Sequence, residues 1–357
     1  MKKPKQNVLI VFFTVFLCFV IIELVLRSIS YGYKRSPGPG SSYIIKTPEY
    51  VTSVTTNSLN MRGHEIYPKR KDEFRILCLG DSFTFGLGVD IEDTYVSVMN
   101  EILNKDNDRF YVINGGIGSF AGGCYKFLIK EGIALEPDLV TVQIFIGNDF
   151  YDAERHLDSV ISSSKRKDKN LFLKLKGFLY RRSYTTNFLW HRLVQIDYIN
   201  ELLFRLNLRY ANREIFLLRY SSLEKQLVKA ELEYLENING LCNKNGIRVL
   251  FIIIPSKTQV FKKQLLGTKK YYYRKPNDII TTFCQDRDIP YIDFLDNYER
   301  LSYKDKRTFY YKIDSHWARE GHIHAAYVIA DFIKNNYRQF FKIEDTEQTQ
   351  ESNNSKI

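Results

Sequence analysis

The pattern of apolar and polar positions changes character along this chain. From Val8 to Leu26 every residue is apolar except Thr14 and Glu23, and Lys2, Lys3 and Lys5 stand ahead of the run. At ~1.5 Å rise per residue, a helix of that length reaches across a bilayer core, and it exceeds the apolar segment of a typical cleaved signal peptide. Ser28-Ile29-Ser30 offers only a weak cleavage site, so the reading is an uncleaved anchor over 8–26 with residues 1–7 in the cytoplasm. Glu23 lies near one end of the run, where it can reach the interface or pair with Arg27. Residues 27–56 contain Ser36-Pro37-Gly38-Pro39-Gly40-Ser41-Ser42 and read as a linker.

Beyond residue 57 short apolar runs alternate with helical spacing. Strands are predicted over 74–79, 110–113, 138–146, 248–254 and 290–294, with helices over 92–105, 222–243 and 319–335. Strands alternating with helices imply a parallel sheet covered on both faces, hence an α/β fold. Residues 151–217 break the alternation. They hold Lys165-Arg166-Lys167-Asp168-Lys169 and then an apolar, basic stretch from Leu171 to Arg182, and read as a helical insertion. Two readings of that insertion stand: a helix on an anionic membrane surface, or one packed on the domain with a solvated face. The polar tail over 343–357 reads as disordered.

Composition narrows the picture. With 357 residues, 44% hydrophobic, the chain is long enough for one large domain carrying an insertion. The net charge of +11 is compatible with an anionic partner or simply with a lysine-rich surface. Neither a nucleic-acid fold signature nor an aromatic-studded basic groove accompanies it, which argues against nucleic acid. Cys18, Cys78, Cys124, Cys242 and Cys284 form no metal-ligand spacing and read as buried free thiols, with a disulfide among the last three left open. No carboxylates or thiols at ligand spacing suggest a metal, and His322 and His324 read as packing or surface residues.

The chemistry gathers at strand ends. Gly80-Asp81-Ser82 follows the first predicted strand, Asn114-Gly115-Gly116 the second and Gly147-Asn148-Asp149 the third. In open α/β sheets ligands bind outside the carboxyl ends of the strands, so three polar blocks arrive at one edge. Far downstream Asp314-Ser315-His316 supplies an imidazole with a carboxylate two residues before it. Ser82 is the candidate nucleophile, His316 the general base and Asp314 its partner; Asp305 is a fallback for Asp314. Asp81 reads as structural within its loop, and Asp149 as a support for the Asn148 loop.

These four blocks, in this order, resemble the SGNH (GDSL-type) hydrolase family over about residues 57–335. Asn57 to Gly63, Trp317 and Gly321-His322 are similar to membrane-anchored bacterial members. The resemblance implies a three-layer α/β/α sandwich with a parallel central sheet over 57–342, and no cofactor. It also implies three oxyanion donors: the Ser82 N–H, a backbone N–H after Asn114, and the Asn148 side chain. The family's second-block glycine falls on Ser119, with Gly118 just before it, so either supplies that donor. Asp314 stands two residues before His316 where many members have three, a form similar to the variant in polysaccharide O-acetylation proteins.

Three functions are expected from this reading. The first is a serine esterase acting on an acetyl or acyl ester of an envelope glycan or lipid, through an acyl-enzyme and outside the cytoplasm. The second is an O-acyltransferase modifying an envelope polysaccharide at the same site. The third is a catalytically silent SGNH domain that binds glycan.

Overall fold

A computed structural model describes residues 3–28, 38–106, 108–116, 121–152, 179, 182–193, 196, 198–199, 202–203, 213–261 and 270–337. The predicted tail over 343–357 and residues 153–178 of the insertion lie outside these residues, as do Gly118 and Ser119.

Helix α1 runs Lys3–Ser28, and its stretch Ile10–Ser28 is long and apolar enough to cross a membrane. Its side chains from Ile10 onward are largely uncovered by protein, unlike those of a core helix. Within the stretch read as a linker, β1 (Ser42–Lys46) and β2 (Val51–Thr55) pair as an antiparallel hairpin. Its alternation buries Ile45 and Val54 together with Tyr50. The five-residue strands are short, and with Ile44 and Val51 on the exposed face their apolar and polar positions do not alternate cleanly, so they do not stand out from a Gly/Pro-rich lead-in.

The core is a five-stranded parallel sheet. Its strands are β3 (Phe74–Gly80), β4 (Phe110–Gly116), β5 (Leu139–Phe145), β6 (Arg248–Ile254) and β7 (Tyr291–Asp293), in the order β4-β3-β5-β6-β7. β4 extends through the Asn114 block, which the pattern placed just past the strand, because Leu79 and Gly80 continue in register with Gly115 and Gly116. Side-chain alternation splits the core into two layers. Leu77, Leu79, Val140, Val142, Phe251 and Ile253 face one way. Ile76, Cys78, Leu250, Ile252 and Ile254 face the other.

Helices cover both faces. In chain order they are α2 (Ser82–Phe85), α3 (Tyr95–Leu103), α4 (Ala121–Phe127), α5 (Tyr184–Leu193), α6 (Ser222–Lys244), α7 (Lys257–Phe261), α8 (Lys275–Gln285), α9 (Phe294–Glu299), α10 (Tyr303–Thr308) and α11 (Arg319–Asn336). α4, α6 and α8 pack on the first layer, and α3, α9 and α11 on the second. The result is the expected three-layer α/β/α sandwich. Thr94 caps α3, so that helix starts after the acidic Ile91–Asp93 turn and not at Glu92. Ser221 and Glu224 form a capping box at the start of α6. All five cysteines are free thiols, and Cys78, Cys124, Cys242 and Cys284 are buried.

The chain goes from β3 outward to β4 on one side, then returns to β5 on the other. That reversal puts the switch point of the sheet at the carboxyl end of β3, the position where open α/β sheets place ligands.

Candidate active site

Ser82 is set at the carboxyl edge of the sheet by the turn that ends β3. Asp81 caps α2 by accepting the Phe83 N–H at 2.8 Å, so Ser82 becomes the first residue of a one-turn helix. The Ser82 N–H has no intrahelical partner at that position, and none among the described residues. α2 lies directly on the end of β4: a Cβ on Gly116 would come within 2.1 Å of the Phe85 nitrogen. The far end of the turn is held by Arg62, from the Asn57–Gly63 segment. Its buried guanidinium donates to the carbonyls of Phe85 (3.1 Å), Gly86 (2.5 Å), Ser53 (3.0 Å) and Val89 (2.7 Å). Burial lowers its pKa to about 10, leaving the group charged at neutral pH.

His316 and Asp314 sit in a closed loop between α10 and α11. Tyr310 bridges antiparallel to Trp317, the Tyr311 N–H donates to the His316 carbonyl at 3.2 Å, and the Ala318 N–H to that of Phe309 at 2.8 Å. Trp317 is fully buried against Phe83 and Phe294, which drives the neighbouring imidazole toward Ser82. Ser82 Oγ lies 2.5 Å from His316 Nε2, and His316 Nδ1 is bonded to Asp314 Oδ1. The two-residue spacing has a local explanation. Asp314 Oδ1 also accepts the His316 backbone N–H at 2.9 Å, an Asx-type turn that sets carboxylate and ring side by side.

Burial disfavours the charged imidazole, but the charge and hydrogen bond of Asp314 outweigh it and raise the His316 pKa above its ordinary 6.5. Burial likewise opposes ionisation of Asp314, yet His316 and the Tyr50 hydroxyl hold its pKa well below the usual carboxylate range. Burial pushes Asp81 up to about 6, and holds Asp149 well above its ordinary value.

Three residues that the sequence reading passed over fix the His316 loop. At the turn of the β1–β2 hairpin, Glu49 accepts the N–H groups of Ile313 (2.8 Å) and Asp314 (2.6 Å), and the Tyr50 hydroxyl donates to Asp314 Oδ2 at 3.2 Å. From the other side, Lys257 Nζ donates to the carbonyls of Tyr311 (2.7 Å), Lys312 (3.1 Å) and Asp314 (3.0 Å). Glu49 and Tyr50 lie 264 or 265 residues from the groups they hold, so no local spacing announces them. Lys257, close behind the carboxyl end of β6, was reachable from the strand-end argument.

Asn148 follows the carboxyl end of β5, beside β3. Asp149 holds its loop by accepting the Phe145 N–H at 2.8 Å. The Asn148 amide donates to Asp152 Oδ2 at 2.6 Å, which occupies one of its two N–H groups. Asn114 Oδ1 accepts the Gly116 N–H at 3.0 Å and so stabilises the end of β4. The fallback Asp305 is not near the imidazole: it caps α10 with Ser302 on the surface. His322 is buried and accepts the Tyr95 N–H at 3.3 Å, and His324 stacks on Phe309, so both pack the core.

Residues 213–356 match the model of a family described as the SGNH hydrolase-like domain of the acetyltransferase AlgX. That stretch contains Asp314 and His316, whereas Ser82 lies ahead of it. No curated protein matches the chain in sequence. Among solved structures, a putative lipolytic protein of the G-D-S-L family from Desulfitobacterium hafniense is 12% identical, with 72% of this chain and 99% of that one covered and a TM-score of 0.40. TesA is 13% identical, covering 73% and 98%, with a TM-score of 0.43. The psychrotrophic esterase EstA from Pseudoalteromonas sp. is 13% identical, covering 75% and 99%, with a TM-score of 0.41. The five-stranded parallel sheet between two helical layers and the match to the AlgX domain over residues 213–356 make this chain similar to SGNH hydrolase-like proteins.

Proposed function

We propose that the protein is a serine esterase that cleaves an acetyl or acyl ester through an acyl-enzyme on Ser82. The observation that carries this reading is the unbroken chain Ser82 Oγ–His316 Nε2 and His316 Nδ1–Asp314 Oδ1 at the carboxyl edge of the sheet. A serine hydroxyl is a weak nucleophile until a base accepts its proton, and His316 is within reach to do so. As Oγ bonds to the acyl carbon, the carbonyl π electrons move to oxygen and the hydroxyl proton passes to Nε2. Asp314 then faces an imidazolium, which its charge stabilises. The Ser82 N–H and the second Asn148 amide hydrogen are the donors for the oxyanion, joined by a backbone N–H of Gly118 or Ser119. When the oxyanion collapses, the C–O bond to the alcohol breaks and His316 returns the proton to the leaving oxygen. Water repeats the sequence and frees the acid.

α1 as an anchor, with Lys2, Lys3 and Lys5 on the cytoplasmic side, sets the domain outside the cytoplasm, where esters of envelope glycans or lipids are the accessible substrates. A second reading replaces water with a sugar hydroxyl, making the protein an O-acyltransferase; the match to the acetyltransferase AlgX domain favours it.

The test uses the full-length chain in detergent. A fluorophosphonate probe should label it, and Ser82→Ala should abolish both labelling and release of p-nitrophenol from p-nitrophenyl acetate. Retained turnover in Ser82→Ala would remove Ser82 from the chemistry. Adding glycan acceptors to the active protein separates the two readings: acyl-glycan at the expense of free acid marks a transferase.

A further inference from the structure

Glu23 is the one charged residue between Val8 and Leu26, and its contacts explain its place there. The carboxylate accepts hydrogen bonds from Ser183 Oγ (2.9 Å) and from the backbone N–H groups of Tyr184 (3.1 Å) and Thr185 (2.8 Å). It therefore caps α5 from outside, with its charge at the positive end of that helix. Arg27 ties the same junction: it pairs with Glu23 at 2.8 Å, donates to the Arg182 carbonyl at 2.8 Å and lies over the Tyr184 ring.

The junction is confined to one end of α1. Between Ile10 and Ser28 only Val20, Glu23 and Leu26 are covered, a stripe two turns long. Those turns span ~9 Å, whereas a ten-residue helix is ~15 Å long. α5 therefore meets α1 only near that end, and part of its length lies beyond the contact. Past the junction α5 presents Leu189 (47% exposed) and Leu193 (45%) outward, and among the described residues after it Ile196, Tyr198 and Leu202 are exposed as well. Arg182 and Arg192 are exposed on the same segment.

We propose that α5 forms an interfacial element lying on the membrane surface, with the lipid bilayer as its partner. This rests on reading α1 as a membrane anchor. The end of a spanning helix lies at headgroup depth, so Glu23 and Arg27 pin the start of α5 there. The outward Leu side chains add to the uncovered apolar surface of α1 and enter the acyl boundary. Two attachments, the anchor and this element, restrict how the domain tilts over the bilayer.

The sequence supplies its own probe. It contains two tryptophans: Trp317 is fully buried in the core, and Trp190 lies on α5. Full-length protein and Trp190→Phe are reconstituted into phosphatidylcholine–phosphatidylglycerol vesicles, with and without lipids brominated near the top of the acyl chain. The difference between the two proteins isolates Trp190. Its emission should be quenched by the brominated lipid, and the pair Leu189→Glu and Leu193→Glu should at least halve that quenching. Both proteins should stay in the membrane after an alkaline carbonate wash, because α1 is untouched. Retention without any Trp190 quenching would overturn the proposal, and would mean that α5 faces water or another protein. Extraction by carbonate would overturn the anchor reading itself and the proposal with it.

Discussion

Lys257→Met removes the cation that ties down the His316 loop, and its consequences can be worked out bond by bond. The ammonium donates all three of its N–H groups to carbonyls of that loop, at 2.7, 3.1 and 3.0 Å. A hydrogen bond to a charged group contributes about 1.5–3 kcal/mol net, so the set could hold as much as ~4–9 kcal/mol. Lys312 is exposed and Tyr311 only half-buried, so water replaces much of what is lost, and methionine keeps the packing of the lysine stem. The expected destabilisation is therefore about 2–3 kcal/mol. The effect on rate should be larger than this suggests, since a ~1 Å shift of a reacting group can cost ~100-fold. A second effect has a definite sign. The positive charge of Lys257 disfavours the His316 imidazolium, so removing it raises the His316 pKa further. Only neutral His316 can act as base, so activity is lost as pH falls through that pKa. The acid limb of kcat/KM for p-nitrophenyl acetate should lie above 6.5 in the parent and move to higher pH in Lys257→Met. Lys257→Arg, which keeps the charge, should leave the limb near the parental position even if kcat falls. Parental kcat and an unmoved limb in Lys257→Met would refute the assignment of Lys257 as a positioning residue.

Two further outcomes test other parts of the site. Asn148→Ala should lower kcat by ~10²–10³, the usual effect of losing one oxyanion donor, with little change in melting temperature; an undiminished kcat would take Asn148 out of the oxyanion site. Gly116→Ala forces a Cβ within 2.1 Å of the Phe85 nitrogen and 2.5 Å of its Cα, both backbone atoms. It should destabilise the fold by about 3 kcal/mol and slow fluorophosphonate labelling of Ser82, measured by thermal melt and gel fluorescence; a parental melt and labelling rate would show that α2 does not depend on that contact.

Much of the scaffold was legible because its signals are local. A strand such as Arg248–Ile254 is an apolar run ended by Pro255, and a helix such as Ser222–Lys244 repeats apolar positions every three or four residues. Both patterns follow from backbone periodicity and need no knowledge of what lies across the core. The strand-end blocks were legible for the same reason: a polar, Gly-rich tripeptide after a buried strand marks a loop at the carboxyl edge. The chemistry of a serine, an imidazole and a carboxylate then gave candidate roles to Ser82, His316 and Asp314, and the resemblance to a known family gave one to Asn148.

What sequence alone determined, then, is an apolar N-terminal helix, an α/β domain and the polar blocks at its strand ends. The tertiary structure decided which groups meet. It turned part of the expected linker into a hairpin that reaches Asp314 through Glu49 and Tyr50, and it brought Lys257 beneath the same loop. It placed Asp305 on the surface, and it gave Glu23 a partner about 160 residues away. These contacts depend on the sheet order β4-β3-β5-β6-β7 and on side chains of high sequence separation. A hydrogen bond between distant residues leaves no periodicity in the chain, so only the folded geometry, which sets distance and burial together, can reveal it.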